Sequence, residues 1–309
     1  MLFTETRGTR RFAKDPAVVK FGGRYFLYYS SFYSGEDSLK AATPSPDGRK
    51  AGLGIGIAVS DDLESFEPIG MVGITQECEK NGIGAPGAIV LDGKVHLFYQ
   101  TYGNGKHDAI CHAISDDGVH FHKDETNPIF SPSDDWCSGR AIDADVVVFG
   151  DRLYLYFATR DHEMKIQKVG VAYADVNGSF ERSEWTQAVR QSVLAPEFRW
   201  EGECIEAPAT IVHDGRVYLF YGGAYNCSPQ QIGVAVSDDG IFFEKLSAEP
   251  FLACGAPGSW NACESGHPYV FEDEGTVHLF YQGTADMGQS WYLSRCEIEF
   301  RDGLPAVVS

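Results

Sequence analysis

The sequence has 309 residues, a formal net charge of −19 at pH 7 and 43% hydrophobic residues. Such an acidic chain cannot neutralise phosphates in bulk, which excludes nucleic acid and anionic membrane surfaces as general partners. The same charge argues against polyanionic substrates and favours a neutral small-molecule ligand. The 34 glycines are typical of many tight turns rather than of long helices.

The first segment, residues 1–14, holds three arginines and lacks an apolar run of the length that an export signal needs. No later stretch is long and apolar enough for a transmembrane helix. The eight cysteines are scattered without a CxxC pair, so they predict no metal finger. We expect free thiols and a cytoplasmic location, unless an export signal has been removed.

A repeated unit follows, in which an apolar strand and a Gly-containing turn lead into a strand rich in Tyr and Phe. The starts of its five copies are separated by 70, 58, 64 and 60 residues. Alternation of apolar residues, as at Val217, Leu219 and Tyr221, indicates a sheet strand. The copies read AVVKFGGRYFLYYS (17–30), GAIVLDGKVHLFYQ (87–100), DVVVFGDRLYLYFA (145–158), ATIVHDGRVYLFYG (209–222) and YVFEDEGTVHLFYQ (269–282).

A second strand–turn–strand element follows four of these hairpins, and the chain ends on the strand WYLSRCEIEF (291–300). The four copies read IAVSDDLESFE (57–67), HAISDDGVHFH (112–122), VAYADVNGSFE (171–181) and VAVSDDGIFFE (234–244). Each unit therefore contributes about four strands and no helix. The sequence predicts an all-β fold, a five-bladed β-propeller with four antiparallel strands per blade, formed by residues 1–309 as a single domain.

The register of the repeat also predicts a site. In a propeller the first strand of each blade lines the central channel, so residues at equivalent positions near its start converge. We take the position two residues before the start of each quoted strand, which is occupied by Asp15, Ala85, Asp143, Ala207 and His267. Glu206 lies one residue before this position in blade four. Two carboxylates, a glutamate and a histidine are therefore expected to face one another around one pocket.

Gathered carboxylates repel one another, and this repulsion can raise one pKa enough to hold a proton at neutral pH. Glycoside hydrolysis needs such a pair, one acid to protonate the leaving oxygen and one carboxylate to activate water or attack. The alternative is that each residue only caps backbone N–H groups in a turn that begins a strand.

The motifs resemble those of glycoside hydrolase family 43, in a clan shared with the related families 32, 62 and 68. The similar stretches run in order from KDPAVVKFGG (Asp15) through RAIDADVVVFG (Asp143), CIEAPATIVHDG (Glu206) and SGHPYVF (His267) to SRCEIEFRDG (Arg295). They span residues 12 to 305. No single motif is specific, but the ordered set is.

The resemblance implies an inverting single displacement, with Asp15 as general base, Glu206 as general acid and Asp143 as the modulator of its pKa. It further implies that Arg295 binds the sugar. No cofactor is required for this chemistry, although relatives suggest that His267 marks a structural cation, Ca²⁺ in many of them, or a water in the channel.

Several features depart from the family pattern. Blade two reads GIGAPG where many members place a Trp. Blade three reads Ile-Asp-Ala-Asp, and strand alternation puts Asp143 and Asp145 on the same face, so Asp145 competes with Asp143 for the modulator role and is a candidate contact to the substrate. The column match to Asp15 decides for Asp143 as the modulator. Sugar rings stack on aromatic side chains, which makes Phe12, Trp136 and Trp260 candidates for the substrate pocket.

The substrate class expected from these features is a neutral pentose or furanose oligosaccharide, attacked from its end by an α-L-arabinofuranosidase or β-xylosidase. A β-fructosidase, a galactofuranosidase and a mannoside phosphorylase are alternatives. A phosphorylase needs basic residues for phosphate, and Arg140, Arg160 and His162 are the candidates. A non-catalytic sugar-binding propeller is the alternative from another functional class.

Overall fold

The computed structural model describes residues 1–8, 10–34 and 51–308. Within these ranges, twenty β-strands form five antiparallel sheets of four strands each, which confirms the predicted architecture. Every sheet is built from strands that are consecutive in the chain, so each repeat unit forms one blade.

In every blade the first two strands are long and the fourth is the shortest. Blade one contains β1 (Lys14–Phe21), β2 (Arg24–Ser34), β3 (Ala51–Ser60) and β4 (Glu67–Met71). Blade two contains β5 (Ile83–Leu91), β6 (Lys94–Thr101), β7 (Ile110–Ser115) and β8 (His122–Lys123). Blade three contains β9 (Ile142–Phe149), β10 (Arg152–Arg160), β11 (Gln167–Asp175) and β12 (Thr186–Gln187). Blade four contains β13 (Ile205–His213), β14 (Arg216–Gly223), β15 (Gln231–Ser237) and β16 (Glu244–Lys245). Blade five contains β17 (Glu264–Asp273), β18 (Thr276–Thr284), β19 (Tyr292–Arg301) and β20 (Leu304–Val307). Single 3₁₀ turns span Glu77–Glu79, Gly105–His107, Arg182–Glu184 and Arg199–Glu201.

The two-residue turns between the first and second strands have the predicted hairpin chemistry. In four of the five turns both residues have positive φ, as a type I′ turn requires. These four turns are Gly22–Gly23, Asp92–Gly93, Asp214–Gly215 and Glu274–Gly275. The turn type fixes the register between the first and second strands of these hairpins.

The first strands form a ring, because β1, β5, β9, β13 and β17 each contact the first strands of both adjacent blades. The N-terminal segment closes the ring: Phe3 and Leu293 form an antiparallel bridge, so the start of the chain pairs with β19 of the last blade. This closure brings Phe12 beside Trp291 through a second bridge.

The blades are held together by the aromatic residues of the second strands, as their alternation predicts. Three tyrosines of the second strands are buried, and each donates a hydroxyl hydrogen bond to a turn carbonyl of the following blade at 2.7–2.8 Å. Tyr28 and Tyr156 occupy the same position of the repeat, and Tyr218 lies two residues earlier in its own copy. The pairs are Tyr28 with Gly118, Tyr156 with Gly240 and Tyr218 with Gly303. Each buried ring thus contributes both apolar area and one satisfied polar contact between blades.

Buried glutamates recur at three blades, each accepting a hydrogen bond from a tyrosine and paired with a cation. The sets are Glu5 with Tyr29 and Arg7, Glu79 with Tyr99 and Lys123, and Glu201 with Tyr221 and Lys245. All eight cysteines are free thiols, in agreement with the prediction. None of the helices in the described ranges has the length and apolarity needed to cross a membrane.

Candidate active site

The five residues of the predicted column share an unusual backbone conformation. Each has a positive φ between 43° and 53°, although none is glycine. A β-bulge interrupts the pairing of the first and second strands at this point in every blade. Positive φ is uncommon for residues with a Cβ, and bulges redirect side chains at functional sites. The members are Asp15, Ala85, Asp143, Ala207 and His267.

Side chains from the sheets hold this strained column in place. The backbone N–H of Asp15 donates to Gln282 Oε1 at 3.0 Å, and that of Asp143 donates to Gln100 Oε1 at 2.9 Å. The N–H of His267 donates to Gln230 Oε1 at 3.1 Å. Buried N–H groups without partners are expensive, so these amide oxygens stabilise the conformation that aims the column at the axis.

Four of the five column residues line a cavity of about 380 Å³, and all five line a smaller cavity of about 20 Å³ that adjoins it. The larger cavity, here called the pocket, is where the structure brings together the four residues predicted from the register. Its charged and aromatic lining residues are Arg10, Phe12, Lys14, Asp15, Phe32, Tyr102, Arg140, Asp143, Arg160, Glu206, Tyr225, His267 and Trp291.

His267 lies between the two carboxylates that the resemblance makes base and acid. Its Nδ1 is 2.9 Å from Asp15 Oδ1, and its Nε2 is 3.1 Å from Glu206 Oε1. The Asp15 contact is an ion pair without hydrogen-bond alignment, because Oδ1 has no directed donor. Burial alone would lower the pKa of His267, but the charges of Asp15 and Glu206 raise it well above its usual value. The ring is therefore an imidazolium that bridges two carboxylates.

Glu206 is surrounded by N–H donors. Gln230 Nε2 donates to Oε1 at 2.7 Å, His267 Nε2 also faces Oε1, and Gln167 Nε2 donates to Oε2. Both amides are oriented independently, because Gln167 Oε1 accepts from Arg160 and Gln230 Oε1 accepts from the His267 backbone. A carboxylate that accepts three N–H bonds is favoured in its ionised form.

The pKa values of the three carboxyls follow from these contacts. Burial would raise the pKa of Asp15, but His267 and Lys14 hold it well below its usual range. Burial would also raise the pKa of Glu206, but the hydrogen bond and charge of His267 lower it. Burial raises the pKa of Asp143 to about 7, with His267 opposing the rise and the Glu206 and Asp15 charges adding to it. Of these three carboxyls, Asp143 is therefore the one that is partly protonated near neutral pH in the free protein.

Asp145 lies beside Asp143 in the smaller cavity but does not line the pocket, which corrects its expected contact with substrate. Its carboxylate accepts the backbone N–H and hydroxyl of Thr210, and it lines only the smaller cavity. The bulge between Ile142 and Asp145 breaks the simple strand alternation that predicted one face for both aspartates.

Three other predicted contacts lie outside the pocket. Trp136 covers Gly170 and Trp260 covers Gly283, where any Cβ would overlap the indole, so both rings pack within their blades. Arg295 pairs with Glu64 and contacts His278 Nδ1 at 2.9 Å, beside a separate surface cavity. Arg295 is four residues beyond Trp291, which at about 3.3 Å per strand residue places it roughly 13 Å from that pocket residue.

Phe12 and Arg160 do line the pocket, as predicted, whereas His162 is exposed and contacts the Asp135 carbonyl instead. The sequence reasoning missed Trp291, Lys14, Tyr225 and the two glutamines that contact Glu206. A signal existed for the glutamines, because Gln167 and Gln230 each lie four residues before an equivalent point of the second repeat element.

The residues present do not suit the structural Ca²⁺ suggested for His267. Asp143, Glu206 and His267 offer one ligand atom each within 4.8 Å of one another. However, both ring nitrogens of His267 face carboxylates and carry protons, which leaves no lone pair for a metal. Ca²⁺ also takes six to eight oxygen ligands, and this set offers two carboxylates.

The chain is similar to several known proteins. The chain is 25% identical over 243 residues, 76% of its own length and 71% of the relative's, to a 1,2-beta-oligomannan phosphorylase of Thermoanaerobacter sp. (strain X514). It superposes on a thermostable family-43 glycoside hydrolase with a TM-score of 0.75 and 21% identity, covering 99% of this chain and 96% of the other. An α-L-arabinofuranosidase from Lactobacillus brevis superposes with a TM-score of 0.68 and 17% identity, covering 95% and 93%. The sequence profile of the glycosyl hydrolases family 43 matches residues 9–303, and the chain belongs to that family.

Proposed function

We propose that this glycoside hydrolase acts by inversion and removes pentose or furanose units from the ends of oligosaccharides. The observation that carries the proposal is the placement of Asp15 and Glu206 on opposite sides of one imidazole ring. Two polar contacts and a ring width separate their nearest oxygens by no more than about 8 Å, which does not exceed the range of about 6.5–9.5 Å expected for an inverting pair.

In this mechanism Asp15 is the base. Because its pKa is low, it is ionised throughout the neutral range and accepts a proton from the attacking water. The water oxygen forms a bond to the anomeric carbon while the bond from that carbon to the leaving oxygen breaks. The leaving oxygen takes up a proton from the opposite side.

The acid is the pair formed by Glu206 and Asp143, whose nearest oxygens lie within 4.8 Å of each other. Asp143 holds the proton in the free protein, and Glu206, on which Gln167 and Gln230 converge, delivers it to the leaving oxygen. Asp143 thereby fills the modulator role expected of it, because it keeps the shared proton available to Glu206.

Attack at a chain end is part of the proposal, since a cavity of about 380 Å³ is of the size that holds one small ligand. Phe12 and Trp291 supply the aromatic surface on which a sugar ring stacks. The arabinofuranosidase neighbour shares the fold, and the pentose assignment is extended from it to this chain as part of the proposal.

The test compares Asp15→Asn and Glu206→Gln with the wild type on nitrophenyl pentosides and furanosides and on unactivated disaccharides. Asp15→Asn should lower kcat by about 10²–10⁴ on both, whereas Glu206→Gln should spare the nitrophenyl substrates because nitrophenolate needs little protonation. Asp151→Asn, a change at a side chain that is 95% exposed, is the matched control.

Full activity in both site variants would refute the mechanism. Absence of turnover on every glycoside would favour the sugar-binding alternative. Product stereochemistry is a separate readout, because NMR during the first minutes should show the inverted anomer.

A further inference from the structure

The pocket has a local charge balance opposite to that of the whole chain. Four of its lining residues are Arg10, Lys14, Arg140 and Arg160, whereas the described acidic lining residues are only the three catalytic candidates. A neutral sugar has no use for so many cations. We propose that Arg140 and Arg160 form a subsite for an oxyanion, a carboxylate or phosphate group, beside the scissile bond. The position of that bond rests on the proposed function.

The two guanidinium groups converge on one neutral atom. Arg160 Nε donates to Gln167 Oε1 at 2.6 Å, and Arg140 approaches the same oxygen through a terminal nitrogen at 3.4 Å. Two like charges that share one amide oxygen repel each other across a pocket wall that is partly shielded from water. An anion placed between them would relieve that repulsion and accept hydrogen bonds from both.

The compensation available within the described residues is incomplete. Asp108 lies behind Arg140, 3.6 Å from Nε, and makes no hydrogen bond to that nitrogen, which is buried without a partner. Arg160 has no ion pair to a described carboxylate; besides Gln167 it donates to the Met164 carbonyl at 3.3 Å. One terminal nitrogen of each guanidinium therefore stays available for a ligand.

The Tyr225 ring holds the Arg160 guanidinium in place at the pocket wall. The Arg160 guanidinium lies 5.1 Å from the centre of the Tyr225 ring, whose hydroxyl donates to the Lys165 carbonyl at 2.8 Å. Stacking on an aromatic face orients the planar fork, which suits two-point recognition of a carboxylate or phosphate. Arg160 is thus positioned before any ligand arrives.

Gln167 connects this subsite to the chemistry. Its oxygen accepts from both arginines while its nitrogen donates to Glu206. A bound oxyanion would therefore lie one amide away from the proposed acid. Two sources fit that place: an acidic sugar unit next to the scissile bond, or free inorganic phosphate.

Isothermal titration at low salt tests the proposal without turnover. The ligands are sodium phosphate and sodium glucuronate, with xylose as the neutral comparison. At least one anion should bind the wild type, and Arg140→Gln and Arg160→Gln should each raise its Kd about tenfold or more, the loss of a charge-assisted hydrogen bond. Arg216→Gln, at a surface arginine paired with Asp238, should leave Kd within twofold.

Circular dichroism checks that each variant folds, and Arg160→Lys keeps the charge without the planar fork, so it should bind with intermediate Kd. Phosphate binding alone would assign the subsite to free phosphate. Glucuronate binding alone would assign it to an acidic sugar. Binding of neither anion, or unchanged Kd in both arginine variants, would overturn the proposal. Asp15→Asn should still bind the anion, so failure of the hydrolytic mechanism is seen separately.

Discussion

The imidazolium of His267 predicts a measurable stability effect. His267→Gln removes the positive charge between Asp15 and Glu206, which leaves two buried carboxylates without their shared cation. All three side chains are at most 11% exposed. Removing one partner of such a buried pair destabilises a protein by about 3–5 kcal/mol.

For a chain of 309 residues, this loss corresponds to a fall in Tm of roughly 6 °C, because the unfolding entropy scales with chain length. Thermal unfolding followed by circular dichroism at pH 6 measures it. His120→Gln, at a side chain that is 83% exposed, is the matched control and should shift the free energy of unfolding by less than about 0.5 kcal/mol.

The pH dependence has a definite sign. The folded-state pKa of His267 is raised, so its contribution to stability is fully present below the unfolded value of about 6.5. That contribution declines as the pH rises from there towards the folded-state pKa. The difference in Tm between wild type and His267→Gln should therefore shrink above pH 6.5.

A double-mutant cycle with Asp15→Asn isolates the pair, and its interaction free energy should be about 1.5 kcal/mol or more in favour of coupling. Additive effects of the two changes, or a Tm difference that grows with pH, would refute the imidazolium bridge.

Four further predictions follow from the site and the blades. Asp143→Asn should lower kcat about 10²-fold or more, and the wild-type rate should fall as the pH rises through about 7, where Asp143 loses its proton; a pH–rate profile checks both. Trp291→Phe should raise KM several-fold while Trp136→Phe leaves KM unchanged, because Trp291 lines the pocket and Trp136 does not. Steady-state kinetics measures both, and an equal change of KM in the two variants would contradict this assignment. Tyr221→Phe should reduce the free energy of unfolding by about 1–3 kcal/mol, since Glu201 loses a buried hydrogen bond at 2.7 Å, and urea titration gives the value. Treatment with EDTA should leave activity within twofold, because a doubly protonated imidazole ring cannot ligate a metal; a loss that added Ca²⁺ restores would show this reasoning to be wrong.

Much of the candidate site could be predicted because it depends on repeat register. The column from Asp15 to His267 is a consequence of strand order and period, both of which are visible in the sequence. Glu206 was found for the same reason, since it precedes the column by one residue. The positive φ at every column position was not predicted, because aspartate and histidine in a strand do not indicate a β-bulge as glycine does.

Three residues expected to contact the sugar, Arg295, Trp136 and Trp260, have suitable side chains but lie outside the pocket. Arg295 has suitable chemistry, but its place along β19 depends on how far each strand runs outwards. Trp136 and Trp260 precede column residues, yet glycines on neighbouring strands leave room for their rings inside the blades. Such packing depends on pairs of residues that are distant in sequence, so the local pattern could not reveal it.

The sequence by itself determined the number of blades, the strands of each blade and which residues meet at the channel, because a periodic pattern carries its own register. Only the tertiary structure decided the protonation and charge of the site. His267 became a bridging cation and Glu206 a fixed anion through contacts between blades. Arg140, which precedes β9, and Arg160, which ends β10, meet at Gln167 at the start of β11. Electrostatic interactions depend on distances of a few ångströms between such groups, and those distances are set only when the ring of blades closes.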